Sequence, residues 1–100
     1  MKKFLAVSAL ACLGISAFAA DGATLFKKCA ICHGAKAEKV YLNKVPALNT
    51  LSAEEITQAL KEYKAGTRNK FGQGGIMKIQ LTSLSEADLE AIAQYIQTLK

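Results

Sequence analysis

Five consecutive residues, Cys29-Ala30-Ile31-Cys32-His33, constrain this chain more than any other feature. Two thiols three positions apart fall on one side of a helical turn, where both can add across the vinyl groups of a single haem. The next residue, His33, is then brought under the ring to give the iron an axial nitrogen. In this form the pattern reads as covalent attachment of a c-type haem, one per chain. A Cys-x-x-Cys pair by itself also serves as a redox dithiol or as half of a zinc site. Zinc would want four protein ligands, and past the N-terminal segment the cysteines and histidines stop at Cys29, Cys32 and His33. A thioredoxin-like dithiol would want alternating strands and helices, which the rest of the chain does not supply.

The N-terminal segment reads as a signal peptide over residues 1–19. Met1-Lys2-Lys3 forms a basic start, Phe4 to about Ile15 is an apolar run containing Cys12, and Ala17-Phe18-Ala19 is a small-x-small cleavage site. The run is too short and wrongly flanked for a permanent span, so no membrane insertion is expected after leader removal. A lipoprotein leader ending at Cys12 is the rival, but apolar residues continue past it to the better cleavage site. Export agrees with the haem motif, because c-type haem is attached outside the cytoplasm. The expected location is the periplasm, with a single domain over residues 20–100. Removing Lys2 and Lys3 from 13 basic residues leaves 11 against 8 acidic ones, a net charge of about +3. That balance suits docking on acidic protein surfaces and falls short of a nucleic-acid footprint. A domain this small has too little apolar mass for a generous core, and a covalently held haem would supply the missing apolar bulk.

The remaining pattern is helical. Asp21 can cap a helix running from about Gly22 to the first cysteine, with Ala23, Phe26, Cys29 and Ala30 on its inner face. After His33 and Gly34 the chain turns irregular, and Pro46 stops any helix there. Ser52 with Glu55 spells a capping box, Leu51 with Ile56 a hydrophobic staple, and Ile56, Ala59, Leu60 and Tyr63 a stripe at helical spacing, stopped at Gly66. Ser85 with Asp88 repeats the grammar, followed by the stripe Leu89, Ile92, Ala93, Ile96 and Leu99. Strand alternation is weak everywhere, its best stretch being the short run 76–81. The fold class is all-α. Residues 67–83 read as a glycine-rich connection, with Gly72, Gly74 and Gly75 crowded ahead of Met77.

His33 is the only histidine, so two histidines from one chain cannot both ligate the iron. The sixth position is open to Met77, a lysine, water or nothing. The glycine-rich approach, the place just ahead of the last helix and the lack of another soft ligand favour Met77, the only methionine besides Met1. Thioether ligation favours reduced iron and closes the site to substrate or oxygen, which suits an electron carrier.

In the order of these motifs the sequence resembles the small monohaem class I cytochromes c of bacterial periplasms. The resemblance rests on Cys29-Ala30-Ile31-Cys32-His33, then Val45-Pro46-Ala47-Leu48, the middle helix ending near Tyr63 and Gly66, Met77, and Leu84 to Leu89 leading to Tyr95-Ile96. It implies three to five helices packed around one covalent haem, with the first and last helices crossing near Phe26 and Tyr95. It also implies that the Pro46 carbonyl accepts a hydrogen bond from the His33 ring, fixing the ring and raising its basicity. The residues covering the haem propionates have no clear counterpart; Tyr41 and Arg68 are the candidates. The function expected is a monomeric one-electron carrier, not an enzyme. Its donor and acceptor would be respiratory-chain complexes or a periplasmic reductase or peroxidase, reached through a rim of Lys27, Lys28, Lys36 and Lys39. The competing readings are a ligand-binding or peroxidase-like haem protein with an open sixth position and a haem domain cut from a larger enzyme.

Overall fold

The computed structural model describes residues 21–100, and the leader and Cys12 lie outside them. Among these residues four helices follow one another: α1 Gly22–His33, α2 Ala53–Ala65, α3 Gly74–Leu81 and α4 Glu86–Gln97, with one 3-10 turn at Leu48–Thr50. Among the described residues extended pairing is limited to one isolated bridge, Tyr41 to Val45.

Each long helix begins where its own side chains can satisfy the first free amides. The Asp21 carboxylate accepts the Thr24 amide at 3.2 Å. Ser52 Oγ accepts the Glu55 amide at 3.1 Å while Glu55 Oε1 accepts the Ser52 amide at 2.9 Å. Ser85 and Asp88 make the same reciprocal pair at 3.1 and 3.0 Å. Such caps are worth about 1 kcal/mol each. α2 stops at Gly66, whose φ of +83° is left-handed. α1 does not stop at Cys29 as expected. Nothing between Cys29 and His33 breaks a helix, so it runs through the whole motif to Gly34, whose amide bonds the Ala30 carbonyl at 2.9 Å.

α4 is the centre of the packing, with α1 against one part of it and α2 against another, while α3 lies on α2. Leu89, Ile92, Ala93 and Ile96 are buried along its stripe, and Leu99, just past the helix end, still packs against the core. From α2 come Ile56, Leu60 and Tyr63, and from α1 Phe26. α1 meets α4 at Gly22. A methyl group there would stand 2.4 Å from the Ala91 carbonyl oxygen and 2.8 Å from Tyr95 Cβ. One helical turn further on, the Phe26 and Tyr95 rings pack at 5.7 Å between centroids. The expected meeting of the first and last helices is therefore present.

The glycine-rich connection differs from expectation, because residues 74–81 form the two-turn helix α3 and Met77 sits inside it. A local starting cap is missing: Gln73 makes no side-chain bond to the first turn. Asn69 supplies one from five residues upstream, its Oδ1 accepting the Gly74 amide at 2.8 Å. Gly74 has to be glycine for this closure, since a Cβ would fall 2.2 Å from the Arg68 carbonyl oxygen. Buried Leu81 and half-buried Met77 then anchor α3 to the core.

Candidate haem site

The elements above leave an apolar cavity of about 240 Å³. The last turn of α1 brings Cys29, Cys32 and His33 to it, α3 brings Met77, and α2 and α4 wall it with Leu60, Tyr63, Ile92 and Ile96. Four of the five residues expected at the site thus border one space. Pro46 is the exception, although Val45 and Leu48 on either side of it line the cavity.

His33 is 7% exposed. Burial holds its pKa below the usual imidazole value, favouring the neutral form that a metal requires. Its Nδ1 is buried without a hydrogen-bond partner, so the bond expected from this ring to the Pro46 carbonyl is not made. The reason lies one turn earlier. Tyr41 and Val45 exchange backbone bonds of 3.1 and 3.0 Å, and the Lys44 amide closes a tight turn on the Tyr41 carbonyl at 3.0 Å. Leu42 and Asn43 inside that turn both have positive φ, +53° and +57°. The turn brings Tyr41, not the Pro46 carbonyl, to His33, with ring centroids 6.0 Å apart.

Cys29 and Cys32 are free thiols here, standing where haem thioethers would form. Burial pushes the Cys29 thiol up, and the neighbouring Lys28 ammonium opposes that shift. Tyr41 borders the cavity with Cys32, and that neighbouring thiol raises the tyrosine's pKa. Tyr41 therefore belongs to the site, lining the cavity next to His33, whereas the sequence offers it only as a candidate for covering the propionates. The only local signal was Asn43, a residue that tolerates positive φ. Arg68 lies over the Tyr63 ring at 5.5 Å and donates to Glu62 at 2.8 Å, behind the cavity wall. Lys28 Nζ donates to the Gln80 carbonyl at 2.6 Å, and both residues border the cavity. The sequence alone reads Lys28 as a rim charge; the structure ties it to α3.

Two thiols, a buried neutral imidazole and a thioether around one apolar space are a donor set that fits a covalently held haem. The chemistry defines a c-type haem protein, and the described residues build it from helices. The chain belongs to the cytochrome c family, which its residues 19–100 match, and within it to the small class I monohaem cytochromes. It is 37% identical over 100 residues to cytochrome c-553 of Helicobacter pylori, covering 100% of both chains. It is 35% identical over 107 residues to cytochrome c-553 of Nitratidesulfovibrio vulgaris, covering 99% of this chain and 100% of that one. To cytochrome c-554(547) of Halothiobacillus neapolitanus it is 39% identical over 90 residues, covering 82% and 97%. The cofactor is accordingly haem c with its iron, covalently bound, and the function is electron transport between redox partners. Among the described residues no helix is long and apolar enough to cross a membrane.

Proposed function

We propose that the chain is a one-electron carrier of the periplasm, exported by a leader over residues 1–19 and folded over residues 20–100, with His33 and Met77 as the two axial ligands. The observation that carries this reading is that Met77 and His33, on different helices, border the same apolar cavity as the two thiols. When bound, the haem supplies an iron whose two oxidation states differ by one electron. The chain's own residues do the rest. Cys29 and Cys32 hold the ring through thioethers. His33, kept neutral by burial, offers a nitrogen without having to lose a proton. Met77 offers a soft sulfur that favours the reduced state and raises the potential. The walls from α2 and α4 exclude water, so a change of charge meets little solvent rearrangement. With both axial positions filled there is no place for a substrate, which makes the chain a carrier and not an enzyme.

Absorption spectra of the oxidised and reduced protein, with and without carbon monoxide, test the assignment. A far-red sulfur-to-iron band in the oxidised form and resistance of the reduced form to carbon monoxide are expected. Ready carbon monoxide binding at neutral pH, without that band, would assign the chain to ligand-binding haem proteins instead.

A further inference from the structure

Met77 is held by the shortest α-helix among the described residues. α3 has two turns, begins without a side-chain cap from its own N-cap residue, and leaves Ile79 largely exposed. Its packing partner is α2, whereas the haem-motif helix α1 packs on α4. The cavity therefore lies between two helices that do not rest firmly on each other, and something must fix the distance across it.

We propose that Lys28 is a positioning residue for Met77: its ammonium, anchored on the Gln80 carbonyl, straps α3 to α1 across the mouth of the haem cavity. The proposal rests on Met77 being the sixth ligand. Lys28 immediately precedes Cys29, so the strap starts from the residue next to a haem attachment point. Gln80 lies three residues beyond Met77 on the same short helix, so the strap ends within one turn of the ligand. The Gln80 carbonyl belongs to the last turn of α3, where carbonyls lack intrahelical amide partners, and a cation there also meets the negative end of the helix dipole. The 2.6 Å bond is thus charge-assisted and well matched at both ends. A second lysine fastens the next stretch of chain from the other side, Lys64 Nζ donating to the Leu84 carbonyl. Lysines of α1 and α2 thus hold the last turn of α3 and the connection that follows it.

A free rim lysine and a strap differ in what their loss does. A rim lysine affects encounters with partners; a strap affects whether the iron keeps its sulfur. The test uses the haem-loaded protein with Lys28→Met, Lys28→Arg and Lys27→Met. The readouts are the far-red band of the oxidised form and the affinity of that form for added imidazole. Lys28→Met is expected to keep covalent haem, weaken the band and bind imidazole about tenfold more tightly, the loss of one exposed charge-assisted bond. Lys28→Arg, which can still donate to the carbonyl, should stay close to wild type, and Lys27→Met should match wild type. Unchanged imidazole affinity in Lys28→Met, or an equal change in Lys27→Met, would overturn the strap. If the wild-type protein itself lacks the band, the Met77 ligation fails, a result recognisable before any variant is made.

Discussion

Asn69 Oδ1 accepts the Gly74 amide at 2.8 Å, and this bond starts the helix that carries Met77. An amide side chain five residues away takes the place of the missing local cap. Asn69→Ala should therefore unwind the first turn of α3, at a cost of about 1 kcal/mol. Asn69→Asp keeps an acceptor at the same place and should lose little. Thermal unfolding gives the stability change, and the far-red band of the oxidised form reports whether Met77 moves with its helix.

That bond also explains how legible the chain is. The capping boxes at Ser52 with Glu55 and Ser85 with Asp88 span four residues each, and the stripes after them repeat at helical steps, so α2 and α4 could be read directly. The Cys29 to His33 motif is continuous, and its chemistry was fully legible. α3 was not, because its cap comes from outside the usual window and two glycines in its first turn have poor helix propensity. Tyr41 stands against His33 at the start of a turn in which Leu42 adopts positive φ, which its residue type disfavours. Lys28 and Gln80 are 52 residues apart, and no local pattern pairs them.

At Gly22 two effects oppose each other. Alanine in an isolated helix would gain about 1 kcal/mol over glycine. Here its methyl would press to 2.4 Å on the backbone oxygen of Ala91, and overpacking of this kind costs about 1–3 kcal/mol. Since backbone cannot rotate away as a side chain can, the clash should win. Gly22→Ala is expected to lower the denaturation midpoint, and Gly22→Val to lower it further. A stabilised Gly22→Ala would show that α1 and α4 can separate freely.

Acid should loosen the surface before it reaches the core. Glu62 is held below the usual carboxylate range by hydrogen bonds from Gln58 and then from Arg68, and Glu55 by its bonds with Ser52. A carboxylate with a depressed folded-state pKa contributes fully above its unfolded value, about 4.3, and that contribution disappears as pH falls through the folded value. Stability should therefore be level down to about pH 5 and fall below it. Glu55→Gln and Glu62→Gln should each have lower stability at neutral pH and a shallower decline in acid. Denaturant titrations from neutral to acid pH measure both slopes.

Lys27 is exposed on α1 beside the haem motif, whereas Lys28 is engaged with Gln80. Partner steering should consequently depend on Lys27, with Lys36 and Lys39 beyond the motif. Lys27→Glu is expected to slow electron exchange with an acidic redox partner at low salt. The difference should shrink as ionic strength approaches about 0.1 M, where the screening length is about 10 Å. Lys28→Glu would be the wrong reagent, because it would also break the bond to α3. Stopped-flow rates across a salt series decide the matter, and a Lys27→Glu defect independent of salt would exclude steering by this charge.

Met77→Ala should open the sixth position while leaving the haem in place, because attachment and ligation depend on different residues. Cys29 and Cys32 stand on α1 and Met77 on α3, so removing the thioether need not disturb the thiols. Met77 is the only methionine among residues 21–100, so no neighbour can replace it with the same class of ligand. Other donors are Tyr41, Tyr63 and Lys28 in the cavity lining, Lys28 being engaged with Gln80, and the lysines Lys70 and Lys78 on either side of Met77 in sequence. Lys70 lies over the Phe71 ring at 5.5 Å, and the Lys78 side chain lies against Gly66, so each must leave a contact to reach the cavity. The variant is therefore expected to lose the far-red band, bind carbon monoxide when reduced, and show a lower potential, since a thioether favours reduced iron. Part of its stability should go as well, because Met77 packs against the core and truncation of such a side chain costs about 2–5 kcal/mol when fully buried and less here. Haem staining after denaturing electrophoresis should stay positive in Met77→Ala and turn negative in the double Cys29→Ala, Cys32→Ala variant. A Met77→Ala protein with the wild-type spectrum and potential would remove sulfur from the iron and leave its packing against the core as the role of this side chain.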